Sequence, residues 1–195
     1  MEAHTFTRIV AFVIDLIILS FVLSLLTFWI PLSKEYTEAV DNENTIMENY
    51  RKGKITSEEF FNQYFENSYV KDKEKIVISI VSLILSMGYF GTFAYYNDGQ
   101  TLGKKLLKIK VVDLDNKKPS HLSLITRALI INGVLVSFLS CIVIMIITKY
   151  DYYYTIGLLQ VIQTVIMIAS LIMIAFKNDK KGIHDILAKT KVVEA

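Results

Sequence analysis

Apolar residues run along this chain in four long stretches that charged residues scarcely interrupt, at about residues 6–30, 76–96, 124–148 and 154–176. Arg8 and Asp15 are the only charges in the first, Arg127 is the only one in the third, and the second and fourth have none. Each run holds 21–25 residues. At a helical rise of about 1.5 Å per residue, that is enough to cross a hydrocarbon core of about 30 Å. The pattern predicts an all-α membrane protein built on a four-transmembrane-helix bundle. The first run is longer than the ~7–15 apolar residues of a secretory signal, and no small-residue cleavage site precedes Pro31, so it reads as retained.

Polar stretches separate the runs. In the segment 31–75, Ser57-Glu58-Glu59 has the cap and early acids of a helix start, and Phe60, Phe61, Tyr64 and Phe65 follow at helical spacing. A preceding helix over about Thr37–Lys52, joined through Gly53, completes a small helical hairpin. Its aromatic face is expected to pack on itself, on the bilayer surface or on a protein partner. Further on, Ile109–Asp113 alternates like a short strand before a turn at Asp115-Asn116, and Thr190–Glu194 repeats its Lys-Val-Val-acid pattern. The two are expected to pair beneath the bundle as a small β-hairpin-like element. The whole chain, 1–195, then reads as one membrane domain carrying 31–75 as an extracytoplasmic insertion.

Composition alone would not have shown this, since 53% hydrophobic and 21% charged residues lie close to a soluble domain. The clustering of the charges is what excludes a soluble enzyme. A net charge of +2 gives no footprint for nucleic acid. One cysteine, Cys141, excludes an internal disulfide or a thiolate metal site. His4, His121 and His184 lack metal-ligand spacing, and no nucleophilic constellation stands out, so neither an enzyme nor a cofactor is expected. Lysine and arginine number 11 in the 46 residues of 97–123 and 177–195, against seven in the 45 of 31–75. That bias places both termini in the cytoplasm, with the chain a multi-pass protein of the cell membrane. Trp29, Tyr150, Tyr152, Tyr153 and Tyr154 would then mark the outer interface, and Tyr95 and Tyr96 the inner one.

Asp15 is the residue that most needs explaining. An uncompensated carboxylate inside a span costs about 2.5–3.5 kcal/mol on insertion scales. It must face the bundle interior, a wet cavity or a cation, and it is either paired with an Arg or Lys or stays protonated. Arg127, on the same side of the membrane, is the natural partner, and Asn132 with Gly133 adds an amide contact near the same depth. Polar side chains form stripes at Ser20, Ser24 and Thr27, at Ser79, Ser82 and Ser86, and at Gln160, Gln163 and Thr164. Such stripes let helices approach closely or line a polar pathway. Gly99–Lys105 superficially resembles a phosphate loop, but only three residues separate its glycines and Lys105 stands where a hydroxyl should be. Nothing in the four runs reads as a pair of broken half-helices, the usual pointer to a transport site.

Three blocks resemble the RDD family of bacterial membrane proteins. Phe6-Thr7-Arg8 leading to Asp15 matches the family's first helix, Gly99-Gln100-Thr101-Leu102-Gly103-Lys104 its central signature, and Lys181-Gly182-Ile183-His184-Asp185 its last block. Leu102 replaces a commoner proline and Lys189 a commoner glycine. The resemblance implies Arg8, Asp15 and Asp185 as the signature residues, supported by Gly99, Thr101, Gly103, Lys104 and His184. It further implies a closed charged cluster, Asp15 with Arg127 or Asn132, and Asp185 with Arg8 or the amides of the 99–103 turn. It leaves function open, with transport and sodium/proton antiport as the expectation. In that reading Asp15 alternates between protonated and monovalent-cation-bound states, which in so small a bundle calls for a homodimer. The alternative is a non-catalytic module that binds or regulates another membrane protein.

Overall fold

The computed structural model describes residues 1–195 apart from the side chain of Tyr150, which lies outside the described residues. The chain is mostly helical, with a small two-stranded sheet at one end. The first apolar run forms α1 (Thr5–Thr27), which ends three residues short of the expected Ile30. The second forms α4 (Ile76–Met87), a π turn over Gly88–Phe93 and α5 (Ala94–Tyr96), together one span of 21 residues. The fourth forms α9 (Lys149–Phe176), whose candidate span begins at Asp151, three residues before the expected Tyr154.

The third run departs from expectation. It is not one helix over 124–148 but two, α7 (His121–Ile131) and α8 (Val134–Ile146), set at 67° to one another. Gly133 makes the break with φ +67°, a conformation that a side chain strains. Gln163 on α9 donates to the carbonyl of Ile130 at 2.9 Å, satisfying one acceptor that the break leaves without a helical donor. The expected absence of a broken helix is thereby corrected: asparagine followed by glycine is a helix-stop signal, and the apolar run on both sides conceals it. Three helices are continuous and apolar enough to span a bilayer, and the broken pair makes a fourth if it counts as one span.

Between α1 and α4, α2 (Lys34–Arg51) and α3 (Ser57–Glu74) form the hairpin. Thr56 caps α3, not Ser57, in a reciprocal arrangement with Glu59. The hairpin's aromatic face turns onto the bundle. Phe60 stacks on Tyr50, and Phe65 stacks on Tyr153 of α9 with ring centroids 3.9 Å apart. Tyr152 is buried with its hydroxyl 2.9 Å from Asp72, so it is a hairpin anchor and not an interfacial residue.

At the opposite end, α6 (Leu102–Leu106) precedes β1 (Ile109–Asp113), and α10 (Ile183–Leu187) precedes β2 (Thr190–Glu194). The strands pair, as the repeated pattern predicts, and do so antiparallel with Val111 opposite Val192 and Asp113 opposite Thr190. The N-terminus joins them through the Ala3 N–H, 3.0 Å from the Val192 carbonyl. Ala3, Ile109, Val111 and Val192 pack with Ala11, Ala94 and Leu124 into a buried layer that closes this end of the bundle. Because two strands cannot stand alone, the packing of this layer on α1 and α7 is what stabilises the sheet.

Candidate functional site

Two buried carboxylates organise the sheet-bearing end, and they choose different partners. Asp185 is fully buried at the start of α10, where its Oδ2 accepts the Gly182 N–H at 3.0 Å. Arg8 Nη2 reaches the same oxygen at 2.5 Å, and its Nη1 donates to the Lys180 carbonyl at 2.5 Å. Arg127 Nη1 bonds Oδ1 of Asp185 and donates to Thr190 Oγ1 at 2.7 Å. Burial alone would push the Asp185 carboxyl up, but the Arg127 and Arg8 guanidiniums hold it well below the usual carboxylate range.

His184 lies against this cluster as a neutral ring. Burial, reinforced by the Arg127 guanidinium, pushes its pKa down to about 3. Ser170 Oγ accepts the Ile183 N–H at 2.9 Å and lies 2.9 Å from His184 Nδ1. Ser170 and His184 thus share a hydrogen bond whose donor is set by the ring tautomer, and Nε2 lies 3.4 Å from Asp185 Oδ2.

Asp15 on α1 is also fully buried, but no guanidinium touches it. Its Oδ1 accepts from the Tyr89 hydroxyl at 2.6 Å and from the Gly103 N–H at 2.7 Å, and its Oδ2 accepts from the Thr101 hydroxyl at 2.5 Å. Tyr89 in turn accepts the Leu102 N–H at 3.0 Å, and Thr101 accepts from Lys104 Nζ at 3.2 Å. The 99–103 turn is thus folded into α1 by one carboxylate. Gly103 is required there, because an added Cβ would fall 2.8 Å from Asp15 Oδ1. Gly99 makes the turn at φ +82°, against the backbone of Val111.

The expected pairing is therefore corrected. Asp15 bonds neither Arg127 nor Asn132, and the turn's amide goes to Asp15 and not to Asp185. Arg127 sits one helix turn below the break and reaches toward α10, where Asp185 already holds Arg8. Arg8, Asp15, Asp185, Thr101, Gly103, Arg127 and His184 all come together at one end. Tyr89, Ser170 and Thr190 were not foreseen. Tyr89 lies in the π turn, a feature that helical periodicity does not register but that often marks functional positions. The Ser20, Ser24 and Thr27 stripe plays no interior part, since both serines are exposed and Thr27 bonds the carbonyl of Leu23.

Between the two clusters lies a cavity of about 270 Å³. Arg8, Lys104, Arg127, His184 and Asn132 line it, and apolar side chains of α1, the second span, α7, α9 and both strands form most of the rest of its wall. Neither Asp15 nor Asp185 borders it. Burial pushes the Lys104 ammonium down to about 8, while Asp15 opposes that shift and Arg127 and Arg8 add to it. A second cavity of about 370 Å³ lies toward the hairpin end, lined by Ser79, Ser82, Ser137, Ser140, Gln160 and Tyr152 among others. The buried cluster of Leu19, Phe90, Ala128 and Val134 separates them. On α1 it falls between Phe12 of one cavity and Leu23 of the other, and across the break between Asn132 and Val136.

A family model described as the RDD family matches residues 2–189 of the chain. No curated protein and no solved structure matches it.

Proposed function

The chain belongs to the RDD family, and from that premise we propose that this multi-pass membrane protein is a small transporter whose cavity at the sheet-bearing end holds an anionic solute together with a proton on Lys104. The sign of the cavity lining carries this reading. Three cations, Arg8, Lys104 and Arg127, border the space, while both acids turn their oxygens into other partners. With Lys104 protonated, the cluster retains one positive charge uncompensated, which draws an anion. With Lys104 neutral, that attraction is lost. Solute and proton therefore bind together and move in the same direction. The charged groups facing Lys104 are Asp15 and Arg8 from α1, Arg127 from α7 and Asp185 from α10.

The broken helix supplies the moving part. Breaks of this kind sit beside the solute site in many transporters, and here Asn132 at the break lines the cavity. The hydroxyl-lined cavity beyond the Leu19, Phe90, Ala128 and Val134 layer provides a second vestibule. The excess of lysine in 97–123 and 177–195 supports a cytoplasmic position for the sheet-bearing end. A sodium ion exchanging at Asp15, the expectation carried by the resemblance, draws less support. Asp15 already accepts three hydrogen bonds, two on Oδ1 and one on Oδ2, out of about four acceptor sites, and the adjacent cavity is lined by cations. The regulatory-module reading draws less support as well, because the hairpin's aromatic face is occupied by its own α9.

Proteoliposomes loaded with a pH-sensitive dye test this. A gradient of benzenesulfonate, a strong acid that does not carry protons across lipid by itself, is expected to drive proton movement that Lys104→Met abolishes. Flux driven by a sodium gradient and not by benzenesulfonate would replace the proposal with cation exchange. No flux with either, from protein shown to be folded, would replace it with the module reading.

A further inference from the structure

Resting on the anion reading above, we infer that the cavity takes a single-chain amphiphile with an anionic head, admitted sideways from the membrane between α1 and α9. The charged groups that line the cavity are all cations, with Thr5, Asn132 and His184 as its other polar side chains. Arg8 and Arg127 reach it from α1 and α7, Lys104 from the 99–103 turn, and the remaining wall is mostly aliphatic and aromatic. The head groups retain donors for a ligand. Arg127 uses only Nη1 in its protein hydrogen bonds, and Lys104 makes a single one, to Thr101. No buried side-chain nitrogen lacks a partner among the described residues, so the unused Arg127 nitrogens open onto the cavity.

The route in is set by what is closed and what is not. Toward the sheet, Ile109, Val111 and Val192 form the floor and are 2%, 1% and 3% exposed, which blocks an aqueous path. Toward the hairpin, the layer of Leu19, Phe90, Ala128 and Val134 is shut. On the remaining side, Ile9 of α1 and Met167 and Leu171 of α9 line the cavity and are also 40%, 40% and 44% exposed on the bundle's apolar exterior. Among the described residues a single hydrogen bond joins α1 to α9, from Thr5 Oγ1 to the Ile174 carbonyl at 3.1 Å. The mouth therefore faces acyl chains. An apolar tail lies in it at no cost in desolvation, while the head meets the guanidinium and ammonium groups. A volume of about 270 Å³ lies just below the ~300–1,000 Å³ usual for ligand pockets, which fits one chain and not a two-chain lipid.

The test uses the full chain in a neutral detergent, with Trp29→Phe and Met167→Trp introduced so that the single tryptophan reports on the mouth. An ω-brominated undecanoate is titrated as quencher. Saturable quenching is expected, with affinity at least tenfold above that of the matching brominated alcohol, and about fourfold weaker for each methylene removed. Lys104→Met should weaken undecanoate binding about tenfold and leave the alcohol unchanged. Equal quenching by acid and alcohol, unsaturable quenching, or equal competition by acetate would overturn the inference. If Met167→Trp does not fold, Ile168→Trp occupies the same wall and serves instead. Saturable binding without flux would remove the transport proposal and leave this site standing. Benzenesulfonate flux without saturable quenching would do the reverse.

Discussion

Asp185→Asn is the perturbation that probes the charged end most directly. The wild-type carboxylate holds two guanidiniums, those of Arg8 and Arg127, with side chains 9% and 10% exposed, and is itself fully buried. Asparagine keeps the shape and one acceptor but removes the charge both arginines were folded around. Breaking a buried ion pair by removing one partner costs about 3–5 kcal/mol, because the other charge is left uncompensated. With two guanidiniums stranded at once, the upper part of that range is expected, about 4–5 kcal/mol. Equilibrium unfolding in mixed micelles, titrated with a denaturing detergent, measures it. The second arm is the double variant Arg127→Leu with Asp185→Asn. Removing one stranded cation should recover about 2 kcal/mol, within the range of coupling energies for contacting residues. A loss below about 1 kcal/mol for Asp185→Asn, or strictly additive single variants, would show that Asp185 does not hold the arginines as described.

Three further outcomes follow from the same geometry. Gly103→Ala puts a methyl group against Asp15 and α1, so it should cost about 1–3 kcal/mol in the same unfolding assay, whereas Gly157→Ala, with open space around it, should be neutral. Gln163→Leu leaves the Ile130 carbonyl at the helix break without its donor, and a fall of about 1–3 kcal/mol is expected. His184 is neutral in the fold with its pKa pushed down to about 3 from an ordinary 6.5, so the unfolded chain binds the extra proton first. Stability that is complete above pH 6.5 should then fall as pH drops below it, and His184→Asn, which can still meet Ser170, should flatten that slope in thermal melts between pH 4 and 6.

What the sequence discloses here is sorted by range. The four apolar runs, the hairpin and the two strands are patterns of periods two to four, and local sequence carries them. The repeated Lys-Val-Val-acid pattern discloses that the two strands pair, but not their register, which shows only in the structure with Val111 opposite Val192. Partner choice is a different matter. Arg127, Asn132 and the 99–103 turn all lie at a depth that allows contact with Asp15, and linear spacing along separate helices cannot rank them. The π turn at Tyr89 and the break at Gly133 decide the ranking. The first lies where a hydroxyl meets Asp15, and the second redirects the top of the third run away from it. Both are departures from 3.6 residues per turn, and a periodicity argument passes over both.

The division between the two acids has a physical logic that bears on the site. Asp15 takes three neutral donors, and each is part of a segment that must be pinned: Tyr89 to the second span, Thr101 and Gly103 to the turn. Asp185 takes two charged donors and ties the first and third runs to the C-terminal block. Had Asp15 paired with Arg127 instead, each acid would hold one guanidinium and Lys104 would be left to satisfy itself. In the observed arrangement Asp15 offers Lys104 its charge without a direct ion pair, through Thr101, so the ammonium remains at the cavity wall, compensated at a distance and open to a ligand. Lys104→Arg tests this step. A guanidinium keeps the positive charge but has no accessible neutral form, so the variant should still bind the brominated undecanoate and lose proton coupling. Retained coupling would place the proton elsewhere, on a group other than Lys104.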